Sequence, residues 1–388
     1  MNVEAYLEKI KKHIPEIDVQ FAFEQTSKGA ILIDIREKDE VKQGSPEAAL
    51  QIPKGLLEMQ IMNETSNSEQ HIFLLCASGR RSLVAASNLK AMGYENVFSV
   101  KGGFKEWKNQ VLPVTVPKML DEDKAERYKR HLLIPELGEK GQLKLLESKA
   151  LIVGAGGIGS PVALYLAAAG VGTIGIIDND VVDRTNLQRQ ILHTEATVNT
   201  PKVESAKKTL RQLNSDITIN TYNERLTKDN VEEIMSGYDI VLDGTDNFNT
   251  RYLINDACVK LKIPNVHGSV FRFEGQVAVF WPAYAAEETP CYRCLYPTPP
   301  PAEFAPSCAE AGVLGVLPGV VGVLCATEAI KILAEFGKPM LKKLLVYNAL
   351  DSEFFTYDIE KRPDCTYCNC DDVSHYPDYQ NIDSLCAV

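Results

Sequence analysis

The 388-residue chain carries a formal net charge of −11, with 24% charged residues in mixed order and nearly all of the acidic excess beyond residue 110. A net-negative surface argues against a nucleic-acid partner and against binding to anionic lipid. Residues 1–15 alternate charges with single apolar side chains, unlike a secretory leader, and the apolar run 312–326 is short and glycine-rich, so a cytoplasmic protein with no membrane partner is expected.

The length allows two or three domains. In a reducing compartment the ten cysteines are more readily ligands, nucleophiles or small buried residues than disulfides.

Residues 1–30 read as an amphipathic helix followed by a second short helix or turn, and Ala30 to Asp34 as a buried strand. A second apolar run, Ile72 to Leu75, leads directly into Cys76-Ala77-Ser78-Gly79-Arg80-Arg81-Ser82 and a helix from Leu83 to Met92. A cysteine at the tip of a strand, in a loop closing onto a helix start and beside Arg80 and Arg81, sits where backbone N–H groups and cations lower a thiol's pKa. The plainer alternative is an inert core cysteine. Val97 to Val100 and Gly102-Gly103-Phe104 to Trp107 complete a small α/β unit spanning residues 1–110. Residues 111–119, with Pro113 and Pro117 among valines, read as an extended linker.

A second domain is expected over residues 120–375, followed by a polar tail, 376–388. Asp121 to Arg130 is helical with a basic face, leaving Arg130 as either core-flanking decoration or a reach into a nucleotide site. The centre of the domain is Leu151-Ile152-Val153, then Gly154, Gly156, Gly157 and Gly159, a helix from about Pro161 to Ala169, and Ile174 to Asp178. This strand-turn-helix-strand order, with an acidic residue nineteen positions after Gly159, is that of a dinucleotide or nucleotide site. The glycines let backbone approach a phosphate at the helix amino terminus, and Asp178 is placed for ribose hydroxyls.

The next stretch separates the candidate ligands. Arg184, Asn186, Arg189 and Gln190 put charge and amide donors where the end of a triphosphate lies, which a nicotinamide does not need, so ATP is the expected ligand. Thr200-Pro201-Lys202 opens a helix, with Lys202 either turned to phosphate oxygens or solvated at the surface. The strand Asp239 to Asp243 ends in Gly244-Thr245-Asp246-Asn247, placing Asp246 either to hold Mg²⁺ or to cap the following helix. His267 has no acidic partner near it in sequence and reads as a packed histidine.

Cys291-x-x-Cys294 and Cys365-x-x-Cys368 are two knuckle pairs suited to a structural tetrahedral Zn²⁺, with a redox dithiol as the rival reading. Between them a proline-rich stretch leads to Cys308, a candidate nucleophile or a buried small residue. Cys258 and Cys325 fall on apolar helix faces.

Leu32-Ile33-Asp34-Ile35-Arg36-Glu37, Cys76-x-x-Gly79-x-Arg81-Ser82 and Gly102-Gly103-x-x-x-Trp107 make residues 15–110 resemble a rhodanese domain, with Ala77 and Ser45 departing from the usual basic residue and histidine. That resemblance implies a persulfide on Cys76. Arg127-Tyr128-x-Arg130, the glycine turn, Asn186 to Gln190, Thr245-Asp246-Asn247, both cysteine pairs and Cys308-Ala309-Glu310-Ala311-Gly312 make residues 120–370 similar to the MoeB/ThiF family. The fold so implied is α/β: a Rossmann-like adenylating domain with a mixed sheet and structural zinc, preceded by a small rhodanese domain.

The second resemblance implies that Gly157, Asp178, Arg189, Lys202 and Asp246 contact ATP or its Mg²⁺, and that Thr185, Asn186, Leu187, Gln188 and Asn247 line the site. It implies that Arg130 reaches the nucleotide of the other subunit of a homodimer, and that Cys308 can bond covalently to the substrate carbonyl. The substrate implied is a ubiquitin-fold sulfur-carrier protein ending in Gly-Gly. Its carboxylate is adenylylated and then converted to a thiocarboxylate, with sulfur reaching Cys76 from a donor such as a cysteine desulfurase. Readings from other classes are an NAD-dependent oxidoreductase and a non-catalytic docking protein.

Overall fold

Short β-branched runs become parallel strands in both of the units into which the chain divides, Met1–Met119 and Leu120–Val388. The computed structural model describes residues 2–116, 118–298, 312–369 and 376–377.

The first unit is built on strands β1 (Glu16–Ile17), β2 (Ile31–Asp34), β4 (Leu50–Gln51), β5 (Ile72–Leu75) and β6 (Val97–Val100), with β3 (Ser45–Pro46) paired apart from them. The five run in the order β1-β6-β5-β2-β4, every pair parallel. Parallel strands are covered on both faces, which explains why β2 and β5 are apolar throughout rather than alternating. Ile33, Ile72 and Leu74 pack against the helices Val3–Lys11, Leu57–Glu64 and Arg80–Ala91. Leu32, Phe73 and Leu75 pack with Val19, Ala22, Phe104 and Trp107 on the other side.

The stretch expected to be a plain linker is partly built into this unit. Val114–Thr115 form strand β7, antiparallel to β3, and the Trp107 indole N–H donates to the Pro113 carbonyl at 3.0 Å. Prolines interrupt regular structure locally, yet the valines between them still find an edge to pair with.

The second unit contains β8 (Lys149–Val153), β9 (Thr173–Ile177), β10 (Thr218–Tyr222), β11 (Ile240–Asp243), β12 (Asn265–Phe271), β13 (Glu274–Phe280), β14 (Lys343–Asn348) and β15 (Glu353–Asp358). Their order is β10-β9-β8-β11-β12-β13-β14-β15. The first five are parallel and the last three antiparallel, so the sheet is mixed as expected. β9 and β10 extend from one side of β8 and β11 from the other. The chain therefore diverges at the carboxyl ends of β8 and its neighbours, and such a switch point opens a crevice.

One helix among the described residues, Leu317–Ala334, is long and apolar enough to cross a membrane, with a mean hydropathy of 1.7. Here it is a core helix: Val321, Cys325, Ala326 and Ala329 are buried with Val162, Ala163 and Leu166 of the helix Gly159–Ala169. A second core on the opposite face holds Tyr252, Ile254 and Cys258 of the helix Phe248–Leu261.

Candidate functional site

The crevice is a cleft of about 780 Å³ whose floor is the glycine turn after β8. The turn is glycine by steric necessity: a Cβ at Gly159 would lie 1.9 Å from the Gly154 carbonyl oxygen, and Gly154 itself has φ +95°. The helix consequently begins at Gly159, two residues before the expected start. His193 braces the turn from behind, its Nε2 donating to the Ala155 carbonyl at 2.9 Å and its Nδ1 lying 2.9 Å from the Ser205 hydroxyl.

Gly154, Gly156, Gly157 and Asp178 line the cleft, whereas Gly159 only shapes the turn. Asp178, just past β9, accepts from the Ala155 N–H at 2.8 Å and the Asp180 N–H at 2.8 Å. Burial raises its carboxyl above the ordinary range, against the opposing pull of the Lys202 cation. Lys202 heads the helix Lys202–Leu213, is only 6% exposed, and reaches the exposed Asp180 carboxylate at 2.7 Å. Low exposure disposes of the surface-lysine alternative. The Arg189 stem packs over the glycine turn, with Cγ 3.5 Å from where a Gly157 Cβ would stand. Beside it, the buried Gln190 Oε1 lacks a hydrogen-bond partner among the described residues, as an acceptor awaiting a ligand would.

Thr185, Asn186, Leu187 and Gln188, expected to line the site, are not among the residues on the walls of this cleft. Two of them build the turn before Arg189: Asn186 accepts from the Asp183 N–H and Thr185 donates to the Asp183 carboxylate, closing a 3-10 turn. Gln188 lies instead against Gly315. Arg184 is engaged outside the cleft by Glu195. Arg130 is exposed and does not line the cleft of its own chain.

On the opposite wall the strand β11 delivers Gly244, Thr245, Asp246 and Asn247. The helix cap here is Asn247, whose Oδ1 accepts from the Thr250 N–H at 2.9 Å, so the alternative that Asp246 caps this helix is not borne out. Three cations that the sequence reading overlooked also line the cleft, Arg225, Lys228 and Arg251. Arg251 follows Asn247 by one helical turn, a spacing that could have flagged it.

The two cysteine pairs converge. Sγ atoms of Cys291, Cys294, Cys365 and Cys368 all lie within 4.8 Å of one another, with separations of 3.9, 3.7 and 3.5 Å along the cluster. Four sulfurs at about 2.3 Å from a tetrahedral zinc are spaced by about 3.8 Å, so the donor set and its spacing fit that ion. Arg293, between the first two cysteines, makes a two-pronged ion pair with buried Asp256, 2.8 Å at each contact, and stacks 3.9 Å over the Tyr367 ring between the second two. Cys308 lies outside the described residues. Cys258 and Cys325 are buried in the core, as expected.

In the first unit Cys76 follows directly on β5 with its thiol buried, accepting from the Gly79 N–H at 3.2 Å and lying 3.5 Å from the Ser82 hydroxyl. The loop folds around the Gly102-Gly103 turn: a Cβ at Gly103 would sit 2.2 Å from the Cys76 carbonyl oxygen. Both neighbouring cations are claimed by carboxylates, Arg80 by Glu4 and Arg81 by Glu40 through contacts of 2.7 and 2.6 Å. The Arg81 hydrogen bonds hold Glu40 down to about 2. Ser45, where a histidine is usual, donates to buried Asp34 at 2.8 Å, completing the pair that Asp34 makes with Arg36.

A nucleotide-type α/β sheet carrying a four-cysteine cluster, preceded by a cysteine-loop α/β unit, defines a bipartite class of protein. The ThiF family model matches residues 128–368, and a rhodanese-like domain model matches residues 20–110. The chain belongs to the ThiF family. It is 45% identical over 269 residues to the SAMP-activating enzyme E1 of Haloferax volcanii, covering 69% of this chain and 97% of that protein. It is 48% identical over 247 residues to the sulfur carrier protein adenylyltransferase of Thermus thermophilus, covering 63% and 91%. With the adenylyltransferase and sulfurtransferase MOCS3-1 of Zea mays it shares 47% over 265 residues, covering 68% and 56%. Among solved structures, E. coli MccB with MccA-N7isoASN superposes with a TM-score of 0.56 at 25% identity, covering 62% of this chain and 74% of that one.

Proposed function

We propose that this protein uses ATP to adenylylate the terminal carboxylate of a ubiquitin-fold sulfur-carrier protein ending in Gly-Gly, and then converts it to a thiocarboxylate with sulfur held on Cys76. One observation carries the reading: buried Lys202, Arg189 over the glycine turn, and Asp246 meet in a single cleft at the carboxyl ends of parallel strands. A nicotinamide enzyme has no use for that gathering of charge, and the adenylyltransferase relatives support the same class of chemistry.

In this reading the glycine-turn N–H groups and helix dipole hold phosphate, while Asp178 accepts from the ribose. Lys202 and Arg189 offset charge that spreads over the phosphates as a carboxylate oxygen attacks the α-phosphorus and pyrophosphate leaves. Asp246 would hold Mg²⁺, which neutralises phosphate oxygens when bound. Arg130, outside its own cleft, serves the nucleotide of the second subunit of a homodimer. The four-cysteine cluster holds Zn²⁺ structurally.

The outer sulfur of a Cys76 persulfide then attacks the activated carbonyl, AMP departs with its bonding pair, and an acyl disulfide remains. Cys308 is assigned to a relay before this attack, its thiolate displacing AMP to hold the carrier as a thioester from which the persulfide in turn displaces it. A cellular thiol attacking the Cys76 sulfur then frees the thiocarboxylate and is left in a mixed disulfide with Cys76, and a second equivalent of that thiol reduces the disulfide and restores the Cys76 thiol. A cytoplasmic donor such as a cysteine desulfurase reloads Cys76, and the thiocarboxylate serves synthesis of a sulfur-containing product such as molybdopterin or thiamine.

The test is carrier-dependent exchange of labelled pyrophosphate into ATP, with the carrier's mass followed in parallel. Exchange and a sulfur-for-oxygen mass gain support the proposal. Uptake of nicotinamide without exchange refutes it.

A further inference from the structure

His267 has an acidic partner that its sequence neighbours do not reveal. On the parallel pair β11 and β12 the register sets Asp243 directly opposite His267, and Nδ1 lies 2.8 Å from Asp243 Oδ2. Both side chains are almost wholly buried. The ring is also held edge-on by Tyr292, 5.1 Å away, and tilted against Phe280 at 6.2 Å.

A carboxylate only accepts, so the shared proton sits on Nδ1 and points at Asp243. Burial lowers the His267 pKa and keeps the ring neutral. Burial also works against the Asp243 charge, yet bonds from His267 and Thr245, with the nearby Arg251 cation, hold that carboxyl below its ordinary range.

The second Asp243 oxygen is committed to the cleft. Oδ1 accepts from the Thr245 N–H at 3.0 Å and from the Thr245 hydroxyl at 2.6 Å. The Thr245 carbonyl in turn accepts from Arg251 Nε at 3.2 Å and Nη2 at 2.8 Å. Gly244, Thr245, Asp246 and Arg251 all line the cleft. A continuous chain of hydrogen bonds thus runs from a fully buried imidazole to the wall of the ligand site.

We propose that His267 is a positioning residue: through Asp243 it fixes the turn that presents Asp246 and it anchors Arg251, so that the wall is set for a metal-bearing nucleotide before the nucleotide arrives. The inference rests on the reading of the cleft as a site for ATP with Mg²⁺. Without the Nδ1 donor, Asp243 has a buried charged oxygen without a partner. It relaxes toward Thr245 or takes up a proton, and either response loosens the turn.

The experiment uses the full chain with ATP and Mg²⁺ as the probes, in wild type, His267→Leu, His267→Asn and His267→Gln. An asparagine amide nitrogen stands near the position of Nδ1, whereas a glutamine amide extends toward that of Nε2. ATP affinity is measured by equilibrium dialysis with and without Mg²⁺, alongside amide hydrogen exchange of residues 244–247 in the ligand-free protein. Expected are an approximately tenfold loss of affinity with Mg²⁺ in the leucine and glutamine variants, a change under about twofold without it, faster exchange at Thr245, and recovery to within about threefold in the asparagine variant. If leucine fails to fold, the asparagine–glutamine contrast carries the test.

Wild-type binding with Mg²⁺ and unchanged exchange and affinity in all variants overturns the proposal, as does an asparagine variant no better than glutamine. A wild type that binds no ATP overturns the reading of the cleft instead, and the exchange rates then decide the positioning role by themselves.

Discussion

Replacing Asp256 with alanine removes the carboxylate that Arg293 meets at 2.8 Å through both Nε and Nη2, while the guanidinium stays 8% exposed beneath Tyr367 and Tyr252. Breaking a buried pair from one side costs about 3–5 kcal/mol, because the remaining charge has lost its counter-ion and the two contacts that carboxylate supplied. For a unit of this size about 1 kcal/mol moves the melting temperature by roughly 2–4 °C, so the transition of Leu120–Val388 should fall by about 6–20 °C. Calorimetry of the zinc-saturated protein measures it. The double variant Asp256→Leu with Arg293→Met, which leaves no orphaned charge, should recover more than half of the loss. A single variant losing under about 1 kcal/mol, or a double variant losing the sum of the singles, would refute the reasoning.

Cys76→Ala should abolish thiocarboxylate formation yet leave carrier-dependent pyrophosphate exchange within about twofold, since the thiol is remote in role from phosphate chemistry; mass spectrometry and exchange are read together. Lys202→Ala should lower the exchange rate by about 10²–10³-fold, while circular dichroism shows the fold retained. Gly103→Ala, whose Cβ would press on the Cys76 carbonyl oxygen, should eliminate sulfur transfer, checked by persulfide loading of the purified chain. His193 has its pKa lowered, chiefly by burial, from an ordinary value of 6.5. The unfolded chain therefore binds the proton more readily, and stability of the second unit should decline as pH drops below about 6.5, with a shallower decline in His193→Asn, followed by urea titration at each pH.

The apolar, doubly covered strands and the glycine turns were legible because each obeys a local rule: Ile72 to Leu75 in β5 and Ala150 to Val153 in β8 are unbroken apolar runs, and the turns after them bring backbone too close for any side chain at Gly103 and Gly159. β14 and β15 were not legible. Every residue of β15 is exposed, so no buried face imprints a pattern on it, and its place in the sheet comes from pairing with β14 alone. The four residues before Arg189 resemble ligand contacts in sequence, but Thr185 and Asn186 spend their side-chain polar groups on Asp183 and the turn itself, and Gln188 lies against Gly315. The partner of His267 was hidden for a different reason. Strand register, which joins positions 24 residues apart, is not written within any window of the chain.

The helix Phe248–Leu261 is anchored at both ends of its function. Its amino end frames the cleft with Asn247 and Arg251, and a turn later Asn255 accepts from the Tyr292 N–H at 2.8 Å while Asp256 grips Arg293, inside the first cysteine pair. Sulfur knot and ligand wall therefore share one rod, and neither can be excised as a detachable module. An engineer wishing to build a metal-free version would have to re-seat that rod before hoping to keep catalysis.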